Sequence, residues 1–108
     1  MAFTTEFVMG AGGAEVEEIP VSMSGGGSGN VYPLTTVNAG DGAWVWVEGE
    51  KTGSGTATLN VGAKSYGIGQ GTTRAGGGGY FAGNVACSIT TAGFVTASFT
   101  GTVYVTRV

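Results

Sequence analysis

Apolar and polar residues alternate with a period of two along much of this sequence. From Phe94 to Val108, Val95, Ala97, Phe99, Val103 and Val105 fall on one face, and Thr96, Ser98, Thr100, Thr102 and Thr106 on the other. Successive side chains of a strand point to opposite faces, so this is the pattern of a half-buried strand. Gly101 reads as a bulge or a close backbone approach within it. The same alternation predicts a strand over Thr56–Tyr66 with Ala57, Leu59, Val61 and Ala63 inward. It predicts another over Tyr80–Thr90 with Phe81, Val85, Cys87 and Ile89 inward. Over Ala43–Gly49, Val45 and Val47 alternate with Trp44 and Trp46.

Turn residues punctuate these segments. Asn38-Ala39-Gly40-Asp41-Gly42 precedes the tryptophan strand. Thr52-Gly53-Ser54-Gly55 and Thr91-Ala92-Gly93 read as hairpin connections, and Gly76 to Gly79 as part of a longer loop. Glu15–Met23 and Val31–Val37 also read as strands. Pro20 and Pro33 place both at sheet edges, because proline cannot donate to a ladder. Gly25-Gly26-Gly27-Ser28-Gly29 reads as a flexible connection. Met1 to Ala14 reads as an extended arm ending in Gly10-Ala11-Gly12-Gly13, followed by one domain over residues 15–108. The expectation is an all-β fold, a small antiparallel β-sandwich or barrel of about six or seven short strands.

Composition sharpens this picture. Glycine accounts for 23 of 108 residues, about three times the usual ~7%, yet it shows no three-residue period and proline is rare, which excludes collagen. With 42% hydrophobic residues and a net charge of −3, the chain is apolar enough to form a core. Four glycines, Gly49, Gly62, Gly83 and Gly101, fall inside the predicted strands. At about 0.5–1 kcal/mol each they cost about 2–4 kcal/mol, a large part of a domain stability of ~5–15 kcal/mol. Burial against other subunits would offset that loss, which favours a homo-oligomer.

Several activities lack their chemistry. The sequence has no histidine and a single cysteine, Cys87, so a Ser-His-Asp triad, an intrachain disulfide and a cysteine-based zinc site are all ruled out. Cys87 alternates inward and reads as a core thiol. The four basic residues, Lys51, Lys64, Arg74 and Arg107, form no stripe for nucleic-acid phosphates. Gly67, Gly69 and Gly71 lack the helix a phosphate loop needs. Glu15 with Glu17 and Glu48 with Glu50 share strand faces, but they read as solvated edge charges. Asp41 and Asn38 lack calcium-loop spacing. The expectation is no enzyme, no cofactor and no metal. No apolar run reaches a membrane span, and the opening lacks the basic and apolar regions of a signal peptide.

Charge is divided along the chain. All seven acids precede residue 51, and all four bases follow residue 50. Either strands from the two parts mix and the charges offset, or the subunit is polarised and copies meet through opposite charges. Trp44 and Trp46 present a second open question. If Val45 and Val47 face the core, both indoles face outward and need a cover. A glycan stacked on the rings, a neighbouring subunit, or the arm with Phe3, Phe7 and Val8 would each supply one; so would a wide intramolecular core.

The opening Met1-Ala2-Phe3-Thr4-Thr5-Glu6-Phe7, the glycine-rich junction through Gly13 and the Thr/Ser/Val-rich stretch from Phe94 to Val108 resemble small Gly-, Ala- and Thr-rich virion proteins of tailed bacteriophages. The resemblance is one of style and carries over no functional residue. It implies a structural subunit, a minor tail or tail-tip protein or a capsid decoration protein, with itself and other virion proteins as partners. Such a subunit is made in the host cytoplasm and located in the virion. The alternative function is a carbohydrate-binding module using Trp44 and Trp46.

Overall fold

The computed structural model describes residues 16–93 and 96–107. Among them are eight strands and no helix: β1 (Glu17–Gly25), β2 (Val31–Asn38), β3 (Ala43–Thr52), β4 (Thr56–Val61), β5 (Lys64–Ile68), β6 (Thr73–Phe81), β7 (Asn84–Ala92) and β8 (Ala97–Arg107). They form two four-stranded antiparallel sheets. The first has the order β1-β8-β3-β6 and the second β2-β7-β4-β5. The chain is an all-β sandwich. Pro20 and Pro33 lie on β1 and β2, the edge strands on one side of the two sheets. The β2 register shifts between Pro33 and Thr35, as expected where a donor is missing from the ladder.

The inward residues of both sheets make one core. Val45 and Val47 of β3 and Phe99, Val103 and Val105 of β8 meet Leu59 and Val61 of β4 and Val85, Cys87 and Ile89 of β7, all fully buried. Gly49 and Gly101 stand opposite each other in the β3–β8 ladder. The end of the Phe99 ring occupies the space a side chain at Gly49 would need. Gly49 therefore lets a large ring cross the middle of a close-packed sheet pair, and Gly101 lets the β3 backbone come close beside it.

Four features depart from the sequence reading. The segment read as one strand over Thr56–Tyr66 is a hairpin, β4–β5. Gly62 adopts a φ of +60° and Ala63 is an exposed turn residue rather than an inward one. The Tyr80–Thr90 segment is also divided: β6 ends at Phe81 and β7 starts at Asn84, around Gly83 at φ +75°. Both glycines sit in the left-handed region that other residues avoid, so neither weakens a strand. The connections at Gly53–Gly55 and around Gly93 are not hairpins. They carry the chain from one sheet to the other, and only β4 and β5 are joined within a sheet.

The fourth departure is the largest. Gly76 to Gly79 are not a loop but the middle of β6, paired with Val45 to Glu48 of β3. The reason is tertiary. A side chain at Gly77 would strike the Tyr66 ring, and one at Gly79 would strike the Lys64 ammonium. At Gly77 and Gly79 the inner face of β6 is covered by side chains of β5, whereas Ala75 and Phe81 pack against the core themselves. Packing here overrides the low β-propensity of glycine.

Candidate functional site

Alternation along the first sheet sorts its residues between the core and an outer face. Because Val45 and Val47 are buried, Trp44, Trp46, Glu48 and Glu50 point outward from β3. The register sets their neighbours. On β6, Trp44 faces Tyr80, Trp46 faces Gly78, Glu48 faces Gly76 and Glu50 faces Arg74. On β8, Trp44 faces Thr106, Trp46 faces Tyr104, Glu48 faces Thr102 and Glu50 faces Thr100. On β1, Glu18 faces Tyr104. The outer face therefore holds four aromatic residues, three carboxylates and Arg74.

The aromatics divide into buried and open members. Tyr104 and Thr106 are only 5% and 4% exposed, although they are on the outer side of the sheet. Trp44, Trp46 and Tyr80 remain 52%, 43% and 51% exposed. The Trp44 and Tyr80 rings meet edge to face, with centroids 5.4 Å apart and planes at 68°, a favoured arrangement for aromatic pairs. The Tyr80 hydroxyl fills the side-chain space above Gly42, and the Trp46 indole nitrogen reaches across toward Gly76. Glycines on β6 and in the β2–β3 turn thus give these rings room to lie along the sheet.

The face is electronegative. The Tyr104 phenol is raised above its ordinary range, first by burial and then by the charges of Glu18 and Glu48; a hydrogen bond with Thr102 and the Arg74 charge oppose the shift. Arg74 is the one basic residue among the outward positions of these strands. Lys51 is buried, Lys64 stands 5.8 Å from the centre of the Phe81 ring, and Arg107 pairs with Glu17 at 2.8 Å and donates to the Asn38 carbonyl. Acids of the first part and bases of the second therefore mix within one sheet, at Glu17–Arg107 and at the Glu50–Arg74 register pair.

The remaining candidates do not form a site. Cys87 is buried, and its pKa is raised to about 11 by that burial, so the thiol stays protonated and unreactive at neutral pH. The Asn38 side-chain oxygen accepts from the Gly40 amide at 2.9 Å and shapes a turn beside Asp41. Among the described residues no group of three or more Cys, Asp or Glu side chains is arranged to hold a metal. Glu15, Phe3, Phe7 and Val8, like the whole segment from Met1 to Ala14, lie outside the described residues.

The sequence reading singled out Trp44 and Trp46 but missed Tyr80, Tyr104 and Lys51. Tyr80 stood next to a glycine run read as loop. Tyr104 occupies an outward position in a strand whose other outward residues are threonines and serines. Lys51 shares the inward parity of Val45 and Val47, and that parity was the available signal. Its ammonium donates to the carbonyls of Gly53 at 3.0 Å, Gly55 at 2.7 Å and Gly71 at 2.9 Å. Comparisons of the chain with protein-family models, curated proteins and solved structures give no match.

Proposed function

We propose that the chain is a structural subunit of a bacteriophage virion, a minor tail or tail-tip protein, that works by assembling with copies of itself and with other virion proteins. The observation that carries the assembly reading is the open cluster of Trp44, Trp46 and Tyr80 on one outer face. Large aromatics gathered on one surface mark contact sites far more than they mark solvated surface. The phage setting rests on the resemblance of the opening and closing stretches to tailed-phage virion proteins. A capsid decoration protein would use the same face in the same way. The subunit would be made in the host cytoplasm and reach the particle during assembly.

Light scattering over a range of concentrations tests the assembly reading. The expected result is a closed oligomer whose mass falls toward the monomer in the double variant Trp44→Ala, Trp46→Ala, with the strand signal in circular dichroism retained. A wild-type chain that stays monomeric and fails to bind purified phage particles would remove the basis for this reading.

A specific arrangement favours a second reading, a carbohydrate-binding module. The Glu48 and Glu50 carboxylates and the Thr100 and Thr102 hydroxyls stand in register beside the indoles. Stacking rings flanked by hydrogen-bond acceptors suit a sugar. On this reading, the tryptophan variant loses glycan-array binding while its solution mass stays that of the wild type.

A further inference from the structure

We infer that the aromatic face of the first sheet receives residues 1–15 of a second copy of the chain, with Phe3, Phe7 and Val8 against Trp44, Trp46 and Tyr80. This rests on the assembly reading and names the partner at that same face.

Area is the first argument. Three rings that are each about half exposed offer on the order of 300 Å2, whereas a stable interface needs about 800 Å2 from each partner. The patch can anchor an interface but cannot be the whole of one. A long apolar segment laid across it supplies contact beyond the rings. The stretch Phe3 to Met9 has that character: Phe3, Phe7, Val8 and Met9 with one acid, Glu6. A two-fold pairing of the face with itself fits less well, since Glu18, Glu48 and Glu50 would gather against their own copies with only Arg74 to offset them.

Position is the second argument. β1 starts at Glu17 opposite Val105, and Trp44 stands opposite Thr106 on the other side of β8. The segment thus leaves the sandwich at the end where the aromatic cluster lies. Strands are ~4.8 Å apart, so that start is only about 10 Å from β3 and about 15 Å from β6. Fifteen extended residues span up to ~50 Å. β1 runs away from this end, so a segment that covers the face of its own sheet has to double back on β1. Segment and face are different surfaces, so two copies can exchange segments reciprocally in a closed dimer, or each can pass its segment to the next copy in a ring.

The test compares the full chain, a variant lacking residues 1–13, and the full-length variant Phe3→Ala, Phe7→Ala. Among the described residues the core and the side chains packed against it run from Ile19 to Val105, so deleting residues 1–13 removes none of them. Light scattering reports mass, and acrylamide quenching with emission wavelength reports on Trp44 and Trp46. The expected full chain is an oligomer with shielded tryptophans. Both variants become folded monomers with red-shifted emission and a several-fold larger quenching constant. A synthetic peptide of residues 1–14, added to the shortened chain, reverses the shift, and fails to bind when Trp44 and Trp46 are alanine. An unchanged oligomer with unchanged quenching after deletion overturns the inference while leaving the assembly reading standing. A full-length monomer whose tryptophans become exposed only on deletion overturns it as well, since the segment then covers its own face. Exposed tryptophans in a full-length monomer overturn the inference, and they remove the reading beneath it as well when that monomer fails to bind purified phage particles.

Discussion

The hydroxyl of Tyr66 on β5 is bonded twice to Gly78 on β6: it accepts from the Gly78 amide at 3.1 Å and donates to the Gly78 carbonyl at 3.2 Å. Both strands are sheet edges on the same side of the sandwich. A side chain at the neighbouring Gly77 would collide with the Tyr66 ring, so the glycine is what lets the ring cross from one sheet to the other. The opposite side of the sandwich repeats the device. There the Tyr32 hydroxyl on β2 accepts from the Gly26 amide at 3.0 Å and donates to its carbonyl at 2.7 Å, and Gly25 makes room for the ring. On the β5–β6 side the tyrosine satisfies backbone groups that the β6 edge would otherwise present to another chain, and on the β1–β2 side it ties down the connection just past β1.

Removing either hydroxyl has a defined cost. Tyr66→Phe and Tyr32→Phe are each expected to lower stability by about 1–2 kcal/mol, since two modest hydrogen bonds are lost and water replaces them only in part. The sites are on opposite sides, so the double variant is expected to show a near-additive loss in urea unfolding. Tyr66→Phe is also expected to raise the aggregation rate, because it frees part of the β6 edge.

Lys51 is among the largest fully buried side chains of the described residues, and its three ammonium protons meet three carbonyls. Two belong to the β3–β4 connection and the third to the β5–β6 connection, so the lysine joins two loops. Lys51→Met keeps most of the volume and leaves three carbonyls without their donor. The expected loss is about 2–4 kcal/mol, read as a lower urea midpoint. Lys51→Arg is expected to fail as well, because a planar fork cannot copy a tripod of donors.

Gly49 and Gly101 offer a steric test. A methyl group at Gly101 would strike the Glu48 carbonyl, and one at Gly49 would meet the Phe99 ring and the Thr100 carbonyl. Either alanine variant is expected to destabilise by about 1–3 kcal/mol through overpacking. Phe99→Leu should recover part of the loss in Gly49→Ala but none of it in Gly101→Ala, where backbone is the obstacle. Equal recovery in both would show that the ring is not what excludes the methyl group.

Cys87 sets an expected pH dependence. Burial raises its thiol pKa from an ordinary 9 to about 11. Burial favours the neutral form, so its contribution to stability is complete below pH 9 and is lost as the pH rises through 11. Native protein is expected to resist a thiol reagent at pH 8 and to react promptly in urea. The high-pH decline in stability should be shallower in Cys87→Ala. Tyr104, also raised, acts in the same direction and leaves a remainder in that variant.

Alternation alone determined much of this protein. Val45, Val47, Leu59, Val61, Phe99, Val103 and Val105 face the core as their spacing requires, because neighbouring side chains of a strand must point to opposite faces. The same parity turned Trp44 and Trp46 outward, and two prolines identified both edge strands on one side. Tertiary structure alone decided what glycine means at each place. At Gly62 and Gly83 it is a turn with positive φ. At Gly77 and Gly79 it is strand whose inner side Tyr66 and Lys64 cover, and at Gly78 strand held against the Val45 carbonyl. At Gly49 and Gly101 it is space taken by a ring and a neighbouring backbone. A residue without a side chain carries no periodic signal, so its role is set by what approaches it. Tyr80, read at the start of a strand running to Thr90, came to lie opposite Trp44 for that reason: its place beside β3 was set only when the glycine stretch became the strand that pairs with β3.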